Sequence, residues 1–136
     1  SEYRGDYELS EADYQAFHAP RITELEAAGV DCLAIETQPK LAEVQAILAW
    51  LHDQQIDLPV WVSFSLKDAR TIGEGTPLKQ AIATVQADDL VAAVGVNCIP
   101  IEIATDAVKE VTKVASAPII VYPNSGQIYD PVTKTW

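Results

Sequence analysis

The sequence has no methionine, only two cysteines and few basic residues, with 9 lysines and arginines against 20 aspartates and glutamates. The resulting formal charge of −11 leaves no cluster of lysine and arginine that could neutralise phosphates. The same balance disfavours binding to an anionic membrane surface. No apolar run approaches the roughly 20 residues that span a bilayer, and no signal-peptide pattern opens the chain. We therefore expect no nucleic-acid partner and no membrane association.

The two cysteines, Cys32 and Cys98, are far apart, and each lies in or beside an apolar strand pattern. Two such residues do not make a disulfide scaffold, so we expect a reducing, cytoplasmic location. We expect Cys32 to lie in the core, because it falls inside a predicted strand. Position 1 is serine, which predicts that the chain is a piece of a longer protein.

Glycine-rich phosphate-binding loops are also absent. Neither a GxGxxG pattern nor a Walker pattern follows any predicted strand. This absence disfavours a nucleotide-binding α/β domain.

The chain does contain an alternation of helical and strand patterns. Its 136 residues, of which 49% are apolar, are enough for one domain with a core. After a first helix, a strand and a helix follow three times and then a last strand; the predicted strands are 31–36, 59–64, 91–96 and 119–122. Strands joined through a single helix are parallel. The fold class is therefore α/β, either an open doubly wound sheet or part of a (β/α)8 barrel.

The helices are predicted from their caps and from apolar spacing. The first begins after Ser10, a hydroxyl cap, and Pro20 is expected to kink or restart it. Its inward residues are expected to be Tyr14, Phe17, Ile22, Leu25 and Ala28. Those of the second helix, which begins at Pro39, are Leu41, Val44, Ile47, Leu48 and Leu51. Residues 67–75 are interpreted as a polar loop, after which Thr76 caps a third helix.

Polar side chains follow the apolar part of every predicted strand. They are Glu36, Thr37, Ser63, Ser65, Asn97, Cys98, Tyr122 and Asn124. Because the carboxyl ends of parallel strands lie on one rim, these side chains can converge on one pocket.

Cys98 has two interpretations at this rim. It is one more small buried hydrophobe, or it is a soft thiolate ligand for a metal such as zinc. One cysteine makes no metal site by itself, and His18 and His52 lie in predicted helices, where surface or satisfied roles are commoner than ligation. Gly95 leaves room for the close approach of either backbone or a ligand.

Five blocks, in chain order, carry a specific resemblance. They are SEYRGDY (1–7), LAIET (33–37), GEGTPL (73–78), GVNC (95–98) and VYPNSG (121–126). Together they span nearly the whole chain. On these blocks the chain resembles the homocysteine S-methyltransferase family, in the bacterial and plant branch that uses S-methylmethionine or S-adenosylmethionine.

The resemblance implies a (β/α)8 TIM barrel of about twice this length. Residues 1–136 would then form a partial barrel domain, truncated at both ends and covering approximately strands four to seven. In that family the cysteine of a Gly-x-Asn-Cys motif binds zinc, and Cys98 matches it. The remaining cysteine ligands form a Gly-Gly-Cys-Cys motif and are expected downstream of Trp136.

The resemblance also implies the reaction and its partners. Bound to zinc, the thiol of homocysteine becomes a thiolate and takes a methyl group from a sulfonium donor, which yields methionine and places the protein in methionine biosynthesis. Glu36 matches the acidic residue that holds the α-ammonium group of homocysteine. The other candidate substrate-binding residues are Thr37, Asn97 and Asn124. Asn97 either orients Cys98 or donates to the substrate. In plainer interpretations Thr37 caps the next helix, and Asn97 and Asn124 belong to simple turns.

The competing interpretation is a non-catalytic α/β fragment or binding module whose metal site is incomplete. Under either interpretation, four parallel strands leave two open sheet edges and an apolar inner face. These features predict that the chain associates with itself or with missing parts of the barrel.

Overall fold

The computed structural model describes residues 3–126 and residue 133. The helices are α1 (Glu11–Ala27), α2 (Leu41–Asp53), α3 (Leu78–Val85) and α4 (Ile101–Thr112), and the strands are β1 (Leu33–Gln38), β2 (Val60–Phe64), β3 (Leu66–Asp68), β4 (Thr71–Ile72), β5 (Val91–Asn97) and β6 (Ile119–Tyr122). Apart from residue 133, the irregular tail predicted after Gly126 lies outside the described residues. No helix in the described part of the chain has the length and apolar character needed to cross a membrane.

Four of the strands form one sheet in the order β1-β2-β5-β6, and every neighbouring pair is parallel. The predicted α/β class with parallel β/α units is therefore confirmed. The strand order follows the chain order without reversal, as in a barrel, whereas a doubly wound sheet reverses its order at a switch point. The strands β3 and β4 form a separate antiparallel pair.

The core lies between this sheet and the helices. Alternate residues of β2 point into it, and Val60, Val62 and Phe64 are fully buried. The inward stripe predicted for α2 is confirmed, since its members are all buried: Leu41, Val44, Ile47, Leu48 and Leu51. The opposite face of the sheet carries Glu36 and the half-buried Trp61, and it is this face and its rim that hold the polar side chains.

Helix α1 differs from its prediction. Ser10 caps it as expected, in a capping box with Asp13, but the helix runs through Pro20 without restarting. Of its predicted inward residues Tyr14 and Ile22 are buried, whereas Phe17 is 67% and Leu25 39% exposed. The inward stripe is thus narrower than the apolar spacing indicated.

Three further predictions are corrected by the structure. Cys32 is exposed and precedes β1, because the strand begins one residue later than the apolar pattern. The predicted polar loop 67–75 contains most of the β3–β4 pair, which buries Ile72 completely. The N-cap of α3 is Pro77 and not Thr76.

Gly95 lies at the closest approach of β5 to β6. A Cβ atom at this position would be 1.7 Å from the carbonyl oxygen of Ile120. The close approach predicted for this glycine is therefore made by backbone, and no larger residue fits without separating the two strands.

Candidate functional site

The predicted site residues come from three strand ends on one rim of the sheet. Glu36 and Thr37 lie near the end of β1, Asn97 ends β5 with Cys98 directly after it, and Tyr122 ends β6. The register pairs Asn97 with Tyr122, and Ser63 of β2 pairs with Gly95, two residues before Asn97 on β5. Parallel pairing thus brings residues far apart in sequence to one edge.

The amide of Asn97 is the centre of the hydrogen bonds at this rim. Its Oδ1 accepts from the Thr37 backbone N–H at 2.9 Å and from the Ser63 hydroxyl at 2.7 Å. Its Nδ2 donates to Thr37 Oγ1 at 2.7 Å and to Cys98 Sγ at 3.4 Å. Asn97 is 1% exposed, and both of its N–H groups have acceptors. These contacts favour the orienting role of Asn97 over direct donation to a substrate.

Two of the residues held by Asn97 have left-handed backbone. Thr37 has φ of 57° and Cys98 has φ of 52°. This region is costly for residues with a Cβ, and most of all for a β-branched residue such as threonine. Cys98 is half-buried, and its N–H donates to the Tyr122 carbonyl at 3.1 Å. Both left-handed residues are therefore held by hydrogen bonds, Thr37 in the irregular end of β1 and Cys98 directly after β5.

Glu36 is exposed on the face of the sheet opposite the helices, where the side chain of Trp61 holds it. The Trp61 indole N–H donates to Glu36 Oε1 at 2.9 Å. Burial, followed by a hydrogen bond with Glu36, raises the pKa of Tyr122 to about 12. The phenol therefore stays protonated across the neutral range, as a hydrogen-bond donor.

Asn124 lies apart from this network. Its backbone N–H donates to the Ile99 carbonyl at 2.9 Å, and its side chain is exposed. This geometry favours the turn interpretation, and its contact with substrate stays a prediction. Trp61, by contrast, was missed by sequence analysis; its signal was the alternation of β2, which places it on the same face as Ser63.

A cleft of about 480 Å³ opens beside Glu36 and Thr37, between β1 and α1. Glu43 of α2 lies in it, where it accepts from the Tyr7 hydroxyl and pairs with His18 Nε2 at 2.7 Å. Burial opposes ionisation of Glu43, but the hydrogen bonds from His18 and Tyr7 outweigh it and lower the pKa of this carboxyl. His18 is thus a satisfied residue, as predicted.

One other group of possible metal ligands is found in the described part of the chain. His52, Asp88 and Asp89 offer ligand atoms within 4.8 Å of one another on the surface. Asp88 and Asp89 precede β5, whereas Cys98 follows it, so the length of a seven-residue strand, about 23 Å, separates them. This surface group is not part of the rim.

The fold and the rim together define a class of protein. A thiol, a carboxylate, hydroxyls and an amide meet at the carboxyl ends of parallel strands, where α/β enzymes hold their substrates. The sequence model of the family described as homocysteine S-methyltransferase matches residues 1–136. The chain belongs to the homocysteine S-methyltransferase family, as its sequence blocks predicted.

Individual relatives agree with this assignment. The chain is 44% identical over 136 residues to homocysteine S-methyltransferase of Escherichia coli (strain K12), and covers 44% of that protein. It is 45% identical over 136 residues to homocysteine S-methyltransferase YbgG of Bacillus subtilis (strain 168), and covers 43% of it. Both alignments include 100% of this chain.

A solved structure supports the fold as well. The crystal structure of the metallated form of homocysteine methyltransferase MmuM from Escherichia coli superposes with a TM-score of 0.87 at 40% identity. The match covers 98% of this chain and 46% of that chain. The chain therefore spans less than half the length of the relatives that it matches.

Proposed function

We propose that the full-length protein transfers a methyl group from S-methylmethionine or S-adenosylmethionine to homocysteine, which yields methionine. The observation that carries this proposal is the Asn97 network, which holds the Cys98 thiol at the same rim as the Glu36 carboxylate. A thiol amino acid needs both a group that activates sulfur and a group that binds its ammonium. This rim offers a candidate for each.

Cys98 is proposed as a zinc ligand. Its sulfur is a soft donor, it is half-buried, and Asn97 Nδ2 donates a hydrogen bond to it at 3.4 Å. Zinc bound there would lower the pKa of a substrate thiol into the neutral range. Cys98 supplies one ligand, and the others are proposed to come from cysteines downstream of Trp136.

Glu36 is proposed to bind the α-ammonium group of homocysteine. Its carboxylate projects from the inner face of the sheet and is held on one oxygen by Trp61. Thr37 and Asn97 act mainly by shaping the rim, since the Thr37 hydroxyl and the Asn97 amide bond to each other. Asn124 would contact substrate only from the edge of the site.

The reaction at this rim is an in-line displacement. The substrate sulfur attacks the methyl carbon of the sulfonium donor, a new S–CH3 bond forms as the bond from that methyl group to the donor sulfur breaks, and the donor leaves as a neutral thioether. Zinc, when bound, would supply the ionised form of the thiol, so no side chain would need to remove a proton at this step. The protein's task is therefore to orient the two sulfur atoms and to exclude water.

Residues 1–136 are proposed to form strands four to seven of a (β/α)8 barrel. The protein is proposed to be cytoplasmic. The cytoplasmic proposal is supported by the two cysteines of the chain, which are both free.

Replacement of each cysteine in turn tests the proposal. In the full-length protein, Cys98→Ser is expected to reduce bound zinc to near zero and to abolish methyl transfer to homocysteine. Cys32→Ser is the matched control, because Cys32 is exposed and lies at the other end of the sheet. Elemental analysis by mass spectrometry and an assay for methionine measure both effects. Full zinc content and full activity in Cys98→Ser would contradict the proposal.

A further inference from the structure

Trp61 lies on the inner face of the sheet with small neighbours on both sides. Its register partners are Ala34 on β1 and Ala93 on β5. Adjacent residues of β2, Val60 and Val62, point the other way and are fully buried. The two alanines leave space for the indole ring on this face, in the middle of the barrel half formed by this chain.

This placement lets the indole reach along the sheet. Glu36 is two residues beyond Ala34, so it stands diagonally across from Trp61, at a separation that long aromatic side chains span. The indole N–H donates to Glu36 Oε1 at 2.9 Å. The side chain of Tyr122, on β6, also interacts with this carboxylate, which raises the pKa of the phenol. Glu36 is thus held by a residue of the neighbouring strand β2.

The chemistry of the indole partner suits a carboxylate that must bind a cation. An indole N–H is a donor without charge, so it orients the carboxylate and leaves its negative charge available, whereas a lysine or arginine would neutralise it. A carboxylate has about four lone-pair positions. The Trp61 donor occupies one of these positions, which leaves room for an incoming ammonium group.

We propose that Trp61 is a positioning residue that fixes the Glu36 carboxylate for the amino group of the thiol substrate. Trp61 thereby determines selectivity for amino-acid thiols over thiols that lack an α-amino group. This inference rests on the proposed binding of homocysteine by Glu36. In this role Trp61 does not contact the substrate itself but acts on it through Glu36.

The test compares two thiols in the full-length, zinc-loaded protein. Homocysteine and 4-mercaptobutanoate, its analogue without the amino group, are assayed with the same methyl donor. Trp61→Phe keeps an aromatic ring but loses the N–H, and it is expected to lower the ratio of kcat/KM for the two thiols about tenfold, the scale of one hydrogen bond to a charged group. The change should come from the KM for homocysteine, with 4-mercaptobutanoate unaffected.

Trp50→Phe is the matched control. Trp50 is a half-buried residue of α2 that packs against the core, so its replacement should leave the ratio unchanged. Circular dichroism verifies the fold of each variant. Trp61→Leu, which also lacks the N–H, replaces Trp61→Phe should the latter fail to fold.

A double mutant separates the inference from its premise. In a Glu36→Gln background, Trp61→Phe is expected to cause no further loss of the ratio, because the two residues act as one unit. An unchanged ratio in Trp61→Phe, or an equal loss for both thiols, would overturn the role of Trp61. A wild-type protein without preference for homocysteine, or a Glu36→Gln variant that keeps the preference, would overturn the proposed role of Glu36 itself.

Discussion

Asn97 joins the ends of three strands through one side chain. Its oxygen accepts from Thr37 on β1 and Ser63 on β2, and its nitrogen donates to Thr37 and to the Cys98 sulfur. The two halves of the amide therefore have separate tasks. The oxygen links β1 and β2 to β5, and the nitrogen donates to the Cys98 sulfur.

Asn97→Asp separates these tasks, because it keeps the acceptors and removes the donor. In the full-length protein this variant is expected to lose about 10–100-fold in zinc affinity, the range for loss of a group that supports a metal ligand. Asn97→Ala should in addition lower the unfolding free energy by about 1–3 kcal/mol, since it leaves the buried Ser63 hydroxyl without this acceptor. Chelator competition and denaturant unfolding measure the two effects. Unchanged zinc affinity in Asn97→Asp would contradict the supporting role.

Sequence reasoning located Asn97 and Cys98 because an apolar strand pattern stops there. It missed Trp61 because an aromatic residue inside a strand is ordinary, and the small neighbours that give it space belong to other strands. Cys32 was misplaced because the apolar pattern starts before β1, which begins only at Leu33. Side-chain partners across strands depend on register, which the sequence does not display.

Helices α1 and α2 are joined by a hydrogen-bonded cluster as well as by apolar packing. His18 of α1 and Tyr7, which precedes α1, both bond to Glu43 of α2. Burial and the Glu43 carboxylate raise the pKa of Tyr7, so that it remains a donor. This cluster fixes α1 beside the cleft, across from Glu36 on β1.

The Glu43 carboxyl predicts how stability depends on pH. Its pKa is lowered from the ordinary 4.5 in the folded state, so its ionised form stabilises the fold above that value, and the contribution is lost as the pH falls through the lower folded pKa. In the full-length protein, Glu43→Gln should therefore be less stable than wild type at pH 6, with a difference that shrinks below pH 4.5. Denaturant unfolding across this range measures the difference. Glu24→Gln, at an exposed position of α1, is the control. A difference that stays constant with pH would contradict the assignment.

The elements themselves were predictable where periodicity is strong. The apolar stripe of α2 and the four parallel strands follow from the pattern of apolar residues. The exposed Phe17 and Leu25 of α1 could not be foreseen, because spacing alone does not tell how much of an apolar face another element covers. The pairing of β3 with β4 was missed because these strands have only three and two residues.

The whole sheet, as described, has two free edges. The edge strands are β1 and β6, and a free edge carries unpaired backbone groups. Ile119 and Tyr122 on β6 are 37% and 38% exposed. A parallel sheet with such edges is expected to associate with other chains when no further strands cover them.

The isolated chain of residues 1–136 is therefore expected to self-associate. Size-exclusion chromatography with light scattering should show dimers or larger species at micromolar concentration. Ile119→Lys should reduce this association, because a charge at an edge opposes strand pairing. A folded and strictly monomeric chain would contradict the prediction.

The exposed Cys32 has a practical consequence. It lies directly before β1, whereas the rim lies about 20 Å further on, beyond the six residues of that strand. A fluorophore or spin label attached to its thiol would sit remote from the chemistry. Cys32 is thus a native site for thiol-specific labels, provided that the Cys98 thiol is protected during the labelling reaction.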